Sequence, residues 1–284
     1  MSNSRKPTRD EILQANQAVH ASLANSGEYN RSPHFREENQ EKVRAILAGL
    51  VDGISKHRIK SLDLGCGTGF IVHLLVGMVD EIHGVDITDD MMSQIDISSG
   101  TVFLKNSQAE NTPYDDQSFS LVTAYSFLDH LESYEEVLRE AFRVLEPDGI
   151  FYSDLNPNRH FSKLMLSLED GSGVSMPEIV AREIKGMLHN GAYYEENFGI
   201  SEETLNNAEP VKSISHGFDP DEVIAVAREI GFSGARYEYD WYLGQAAVMH
   251  QQESGGHETI EAYLRMALPS TRGLFKYLRF VLEK

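Results

Sequence analysis

Residues 61–70 read SLDLGCGTGF, and this stretch decides the fold. Its first four residues predict a short buried strand, and three alternating glycines follow at Gly65, Gly67 and Gly69. The largely apolar residues 71–76 then predict a helix. Glycine tolerates positive φ and lets a ligand approach the backbone closely. A loop that leads into a helix N-terminus binds polar or anionic groups. The stretch therefore predicts a ligand-binding loop, and a plain glycine-rich turn is the alternative.

The composition is that of an ordinary globular protein. The chain has 284 residues, of which 41% are hydrophobic and 24% charged, which suits one large α/β domain or two small ones. The formal charge of −19 disfavours nucleic acid as a partner, because a polyanion would be repelled. The single cysteine, Cys66, excludes an internal disulfide and a zinc site built on cysteines. No run reaches the roughly 18 apolar residues of a membrane span, and the polar residues 1–10 lack a signal region. We therefore expect a cytoplasmic protein.

Strand and helix signals alternate after the glycine-rich loop. This pattern predicts an α/β fold of the Rossmann-like, doubly wound kind, with helices on both faces of a seven-stranded sheet. Ligands bind such sheets outside the carboxyl ends of the strands. The predicted strands are 61–64, 81–87, 101–105, 119–125, 150–154, 235–241 and 245–250.

Other segments are predicted to surround the sheet. Helices over 9–24 and 37–50 precede it, and we expect them to pack on it, the alternative being that they cover its ligand. Residues 155–217 break the alternation and have too few apolar residues for a core of their own, so we interpret them as a lid insertion after strand five. We treat the chain as a single domain, 1–284, divided into N-terminal helices (9–50), a ligand-binding half (58–154), the insertion (155–217) and a C-terminal half (218–284).

The C-terminal segment is predicted to be helical. Helices over 259–267 and 271–282 would close the chain, separated at Pro269. The second is basic and apolar, unlike the rest of the sequence. We expect it to dock on the domain or to form a homodimer contact.

An acidic residue, Asp86, follows the glycine-rich loop at a spacing that suits a nucleoside-binding site. Asp86 lies 21 residues after Gly65, at the end of the second predicted strand, where a carboxylate can accept hydrogen bonds from both ribose hydroxyls of an adenosine-containing ligand. Phe70 stands where a dinucleotide fingerprint would have its third glycine. This difference weakens a nicotinamide dehydrogenase interpretation.

Five ordered segments resemble class I S-adenosylmethionine-dependent methyltransferases. The likeness covers residues 61 to about 154 well and 218–250 moderately. It is nearest to the small-molecule branch that contains the ubiquinone-biosynthesis type enzymes, methyltransferase types 11 and 25. The similar segments are DLGCGTG (63–69, motif I), GVDI (84–87, with Met91), QAENTPY (108–114), SFSLV through LDHL (118–131) and LRE through EPDG (138–149).

The resemblance implies S-adenosylmethionine as methyl donor, with S-adenosylhomocysteine as the product, and it implies no metal. In this reading Asp86 binds the ribose, residues 108–114 meet the adenine, and Asp63 fixes the loop or meets the amino group. Tyr29, Tyr125 and Phe127 are candidates for contact with the sulfonium, because aromatic faces attract cations. The full set of implied cofactor residues is Tyr29, Asp63, Gly65, Cys66, Gly67, Gly69, Asp86, Ile87, Met91, Gln108, Ala109, Glu110 and Tyr125.

Two residues are candidates for catalysis. Methyl transfer from a sulfonium depends chiefly on proximity and orientation, and it needs a base only when the acceptor carries a proton. His130 is the predicted base, because histidine titrates near neutrality, and Asp129 beside it could orient the imidazole or accept a proton. A structural role for His130 stays open. Asp129 stands where the resembling family has a second histidine, and Ser120 stands where that family has an acid.

The sequence therefore predicts methyl transfer to an O, N or C atom of a small molecule. A protein or RNA methyltransferase is one alternative, although the acidic charge disfavours RNA. A non-catalytic binder of S-adenosylmethionine is another.

Overall fold

A computed structural model gives the fold. It describes residues 6–26, 33–170, 177–188, 190–251 and 256–284. The strands are β1 (Lys60–Leu64), β2 (Glu81–Asp86), β3 (Val102–Asn106), β4 (Phe119–Tyr125), β5 (Leu145–Pro157), β6 (Gly234–Tyr242) and β7 (Phe275–Glu283). The α-helices are α1 (Arg9–Ser26), α2 (Glu37–Asp52), α3 (Phe70–Leu75), α4 (Asp89–Met92), α5 (Tyr134–Val144), α6 (Arg159–Asp170), α7 (Glu178–Leu188), α8 (Gly191–Phe198), α9 (Glu202–Ala208), α10 (Pro210–Ser215), α11 (Pro220–Ile230), α12 (Gln245–Gln251) and α13 (Gly256–Met266). Within these described parts, no helix combines the length and apolar character that a membrane span requires.

The seven strands form one sheet in the order β3-β2-β1-β4-β5-β7-β6. Strands β1 to β5 pair in parallel, and β7 runs antiparallel to both β5 and β6. The order reverses between β1 and β4, which opens a crevice at their carboxyl ends. The predicted Rossmann-like α/β fold is confirmed, and the glycine-rich loop lies at this crevice.

Helices cover both faces of the sheet. The central strand β4 is buried along its whole length, as expected for a strand with helices above and below. On one face, Leu47 of α2 and Ile71 of α3 pack with Leu121. On the other, Leu138 of α5 packs with Val122. The sheet is therefore a rigid platform whose loops form the site.

Two C-terminal predictions are wrong. Residues 245–250 form helix α12 rather than a strand, and residues 275–283 form strand β7 rather than a helix. Strand β7 lies between β5 and β6, and both neighbours satisfy its backbone hydrogen bonds. Buried apolar residues lie on both of its faces, Phe280 on one and Val281 on the other, which blurs the alternation that marks a strand. The predicted helix over 271–282, the second of the two expected to close the chain, therefore cannot form the expected homodimer contact.

The two N-terminal helices have different neighbours. Helix α2 packs on the sheet as expected, through Val43 and Leu47. Helix α1 instead packs Val19 and Leu23 against Ile200 and Leu205 of the segment after β5. Helix α1 therefore stands above the sheet edge rather than on a sheet face.

The segment after β5 is helical. Helices α6 and α7 pack together through Phe161, Met165 and Ile184. Helices α8 and α9 extend to α1 and, with it, roof the crevice at the sheet edge. Whether residues 155–217 act as a lid stays a prediction.

A buried network of charges joins four elements. Arg279 of β7 donates from Nε to Asp154 Oδ2 at 2.7 Å and from Nη2 to Asp240 Oδ2 at 2.6 Å. Lys42 of α2 pairs with Asp240, and the Tyr152 hydroxyl donates to Asp154 at 2.7 Å. Two cations thus balance two carboxylates that are almost fully buried. Such a network fixes α2 to strands β5, β6 and β7.

We predict that Arg279→Met lowers the free energy of unfolding by about 3–5 kcal/mol, because it leaves two buried carboxylates without their shared partner. The matched control is Arg236→Met on β6, which breaks an exposed pair with Glu283 and should cost at most about 1 kcal/mol. Urea unfolding at constant pH measures both. Equal losses for the two variants would contradict the assigned role of Arg279.

Candidate functional site

The loop after β1 has a conformation that requires glycine. Gly65, Gly67 and Gly69 have φ angles of 67°, 53° and 87°, all in the left-handed region. A Cβ on Gly65 would lie 2.1 Å from the ring of Phe127, in the loop after β4. The loops that follow β1 and β4 therefore touch directly, and only glycine permits the contact.

A cavity opens above this loop, under α1, α8 and α9. Most of the predicted cofactor residues line it, although they come from four separate parts of the chain. Two of the predicted residues, Gly69 and Gln108, do not line it, and Tyr29 lies outside the described residues. The predicted residues in its wall are Asp63, Gly65, Cys66, Gly67, Asp86, Ile87, Met91, Ala109, Glu110, Tyr125 and His130.

Gly69 and Gln108 have other contacts. Gly69 precedes the first residue of α3, and its N–H donates to the Cys66 carbonyl at 2.8 Å, which closes the turn. Gln108 accepts a hydrogen bond from Arg9 Nη2 of α1 at 3.1 Å. Arg9 also pairs with Glu110 and Glu136 at 3.2 Å each. These pairs hold the first turn of α1 over the predicted adenine segment.

Asp86 connects two loops at the floor of the cavity. Its Oδ2 accepts from the Gly67 N–H and its Oδ1 from the Thr88 N–H, both at 2.9 Å. Burial raises the pKa of Asp86, and these backbone donors oppose the shift. A carboxylate has about four lone-pair sites, so both oxygens can still accept from a ligand.

Asp63 is a second buried carboxyl group in the wall. Its Oδ1 accepts from the Thr123 hydroxyl at 2.7 Å. Burial raises the pKa of Asp63 to about 7, and the nearby Asp86 adds to the shift. A cationic group beside Asp63 would favour its ionised form.

Tyr125 is fixed by its neighbours. Asn39 Nδ2 of α2 donates to its hydroxyl at 2.8 Å, and its ring stacks on Phe70 with centroids 4.5 Å apart. The ring therefore forms a rigid aromatic part of the cavity wall.

His130 lies under the roof of the cavity, next to α1 and α9. Its Nδ1 is 2.9 Å from the Ala208 carbonyl, which can only accept, so Nδ1 carries the proton and Nε2 is an acceptor in the neutral ring. The ring of His20, from α1, lies edge-on to it with centroids 4.8 Å apart. Burial, and next the neighbouring His130, lower the pKa of His20 to about 3, so His20 is neutral near pH 7.

Asp129 is buried beside His130 but does not line the cavity. Its Oδ1 is 4.0 Å from His130 Nε2, which is too long for a hydrogen bond. Burial raises the pKa of Asp129, and His130 opposes the shift. In this arrangement Asp129 can act only through His130.

Sequence reasoning missed the residues of the cavity roof. Asn16 and His20 of α1 line it, as does Glu209 after α9. Asn16 and His20 are four residues apart, on the apolar face of α1 that includes Ile12 and Val19. A polar pair at helical spacing on an otherwise apolar face was the available signal.

We predict that Asp63→Asn alters how stability depends on pH. Asp63 ionises near its ordinary pKa of 3.8 in the unfolded chain and near about 7 in the fold. The ionisation of Asp63 therefore lowers the free energy of unfolding of the native protein as the pH rises between those values. The variant cannot ionise, so its stability relative to the native sequence should rise by a few kcal/mol over that interval.

Urea titrations near pH 4 and near pH 8 measure this difference. The exposed Asp90→Asn serves as the control. A difference between Asp63→Asn and the native sequence that is the same at both pH values would contradict the prediction.

Known proteins share this architecture and its motifs. Residues 62–153 match the methyltransferase domain family. A demethylmenaquinone methyltransferase of Lactobacillus johnsonii is 36% identical over 136 residues, which are 42% of this chain and 54% of that protein. One from Staphylococcus aureus (strain MRSA252) is 30% identical over 141 residues, 46% of this chain and 57% of that protein. The chain spans about half the length of these curated relatives.

A solved structure extends the likeness of fold to nearly the whole chain. An S-adenosylmethionine-dependent methyltransferase from Thermotoga maritima aligns over 94% of this chain and 99% of its own, with a TM-score of 0.51 and 14% identity. The resemblance that the motifs indicate is thus confirmed, by family match over residues 62–153 and by fold beyond them.

Proposed function

We propose that this chain transfers a methyl group from S-adenosylmethionine to a small-molecule acceptor. One observation carries the proposal: motif I, the acidic second motif, the predicted adenine segment and the loop after β4 all contribute to one cavity. The relatives named demethylmenaquinone methyltransferases support a small-molecule acceptor.

The floor of the cavity suits the adenosine part of the donor. Asp86 is oriented by two backbone donors and retains lone pairs for the ribose hydroxyls. Ile87 and Met91 supply apolar surface, and Ala109 and Glu110, from the predicted adenine segment, line the same cavity.

The glycine-rich loop suits the methionine part. Its backbone at Gly65 and Gly67 forms part of the wall, and Asp63 offers a carboxylate to the donor's ammonium. The bound donor supplies a sulfonium-activated methyl group. The ring of Tyr125, fixed against Phe70, lines the same cavity, and aromatic rings attract positive charge.

We assign His130 the role of general base. Its Nδ1–H is held by the Ala208 carbonyl, so Nε2 carries the lone pair. If the acceptor bears a proton at neutral pH, Nε2 takes it as the methyl group is transferred, and Asp129 at 4.0 Å favours the resulting imidazolium. The rest of the rate enhancement comes from holding the acceptor and the donor together in an enclosed space.

The roof favours a small acceptor over a macromolecule. Helices α1, α8 and α9 lie above the cavity, so a protein side chain or an RNA base would have to pass between them. Calorimetry with S-adenosylmethionine and S-adenosylhomocysteine tests donor binding, and a tritiated-methyl screen of metabolites tests transfer. Donor binding without any transfer would instead support a non-catalytic binder.

We predict that Asp86→Ala weakens S-adenosylhomocysteine binding by about 2 kcal/mol, or about thirtyfold, because two charge-assisted hydrogen bonds to the ribose are lost. The control is Asp90→Ala, an exposed carboxylate in α4 that does not line the cavity. Calorimetry measures both affinities, and circular dichroism checks the fold. An unchanged affinity for Asp86→Ala would mean that the ribose lies elsewhere.

We predict that His130→Gln lowers kcat by about 10²-fold or more while S-adenosylhomocysteine affinity stays within about twofold, as expected for a residue that moves a proton in the transition state. Full activity in His130→Gln would mean that His130 is not a base and that catalysis depends on proximity and orientation.

A further inference from the structure

We propose that Glu140 of α5 is a positioning residue for donor binding, which holds the loop between β3 and β4 in the shape that selects adenine. The inference rests on the proposed function and goes beyond it. It assigns a role to the resembling segment 138–149, none of whose residues, all of them described, lines the cavity. Glu140 therefore acts through the loop rather than on the donor itself.

The loop between β3 and β4 depends on other parts of the protein for its shape. Residues 107–118, all within the described parts of the chain, join the two strands without forming a helix or a strand of their own. The backbone groups of such a segment need partners elsewhere. Near one end, the Ser107 N–H donates to the Asp86 carbonyl at 3.0 Å. Near the other, the Gln117 N–H donates to the Arg143 carbonyl at 3.0 Å.

Glu140 holds the middle of this loop. Thr112 is buried and lies halfway between Ser107 and Gln117. Its N–H donates to Glu140 Oε1 at 2.7 Å, and its hydroxyl donates to the same oxygen at 2.6 Å. Arg143, one turn further along α5, donates to the same carboxylate from Nε at 2.8 Å and from Nη2 at 2.7 Å. The Glu140 side chain therefore ties the loop to the last turns of α5.

Glu140 is ionised in the folded protein. Its side chain is only 6% exposed, and burial by itself would raise its pKa. The hydrogen bonds from Arg143 and Thr112 outweigh burial and lower the pKa below its ordinary value. Hydrogen bonds to a carboxylate are charge-assisted and stronger than those between uncharged groups. The position of Thr112 is thus fixed by strong contacts.

The loop carries this restraint into the cavity. Ala109 and Glu110 line the cavity and come shortly before Thr112 in the same loop. Arg9 of α1 pairs with Glu110 at 3.2 Å. Under the proposed function this loop meets the adenine, whose exocyclic amino group a carboxylate can accept from, whereas it repels the carbonyl oxygen of hypoxanthine. A loop released at Thr112 would lose this selection.

Three ligands test the proposal on the full chain. They are S-adenosylhomocysteine, S-inosylhomocysteine, in which a carbonyl oxygen replaces the adenine amino group, and methylthioadenosine, which lacks the amino-acid part. Calorimetry gives the adenine preference, which is the affinity ratio of the first ligand to the second. It also gives the amino-acid preference, which is the ratio of the first to the third. Each ratio is measured on one protein, so an unfolded fraction cancels.

We expect a native adenine preference of about tenfold or more, because hypoxanthine leaves a polar group of the site unpaired. Glu140→Ala should reduce this preference to about twofold or less, while the amino-acid preference stays within about twofold of its native value. Glu140→Gln keeps an oxygen for Thr112 but loses the charge that pairs with Arg143. It should therefore lower stability and retain most of the adenine preference. The matched control is Glu135→Ala, which removes a carboxylate of α5 that accepts from Ser133 at 2.6 Å, and it should change neither ratio.

Thr112→Val serves if Glu140→Ala does not fold. This variant removes the hydroxyl donor to Glu140, keeps the shape of the side chain and leaves the ion pair of Glu140 with Arg143 in place. We expect the adenine preference to fall by about threefold and the amino-acid preference to stay unchanged.

Other results overturn the proposal. An adenine preference that survives in both Glu140→Ala and Thr112→Val would remove the role of Glu140. An equal fall in both ratios would show a general loosening of the site. A Glu140→Gln variant with as little adenine preference as Glu140→Ala would assign the effect to the ion pair rather than to the loop contact. A native chain that binds S-adenosylhomocysteine without preferring adenine would contradict this inference alone, whereas failure of S-adenosylhomocysteine to bind would contradict the proposed function.

Discussion

The hydrogen bonds of Asp86 are the contact on which the site depends. One carboxylate holds the Gly67 N–H of the loop after β1 and the Thr88 N–H of the loop after β2. Packing of Phe127 against Gly65 then joins the loop after β4 to the same point. Three loops from neighbouring parallel strands thus share one position, because their strands end at the same edge of the sheet. The floor of the cavity follows from this geometry.

The predictable parts of the fold are those that a short stretch of sequence is enough to identify. Strands β1 to β4 are short runs bounded by turn residues, β5 contains the short run predicted over 150–154, and the motifs follow these strands at fixed distances. Strand β7 was mistaken for a helix because its identity depends on β5 and β6, which lie far away in sequence. Arg279 illustrates the difficulty, since its basic side chain suggested a surface but is neutralised by Asp154 and Asp240 inside the protein.

The cavity also has a part that was predictable from the sequence and a part that was not. Residues of the floor, such as Asp63, Asp86 and Tyr125, were predictable from the motifs. The contacts that form the roof were not, because Asn16 meets His130 across 114 positions and His130 meets Ala208 across 78. No local pattern marks such pairs, and only the docking of α1 on α9 brings them together.

The small cluster that joins α1 to α9 has an evolutionary consequence. Ala15, Val19 and Leu205 belong to a satellite core, separate from the two that stabilise the sheet. Substitutions there can reshape the roof while leaving the folding of the platform intact. Descendants of one ancestral chain could thus diverge in the roof of the cavity while its floor drifts little. Sequence comparison limited to residues 62–153 would score such paralogues as near equivalents.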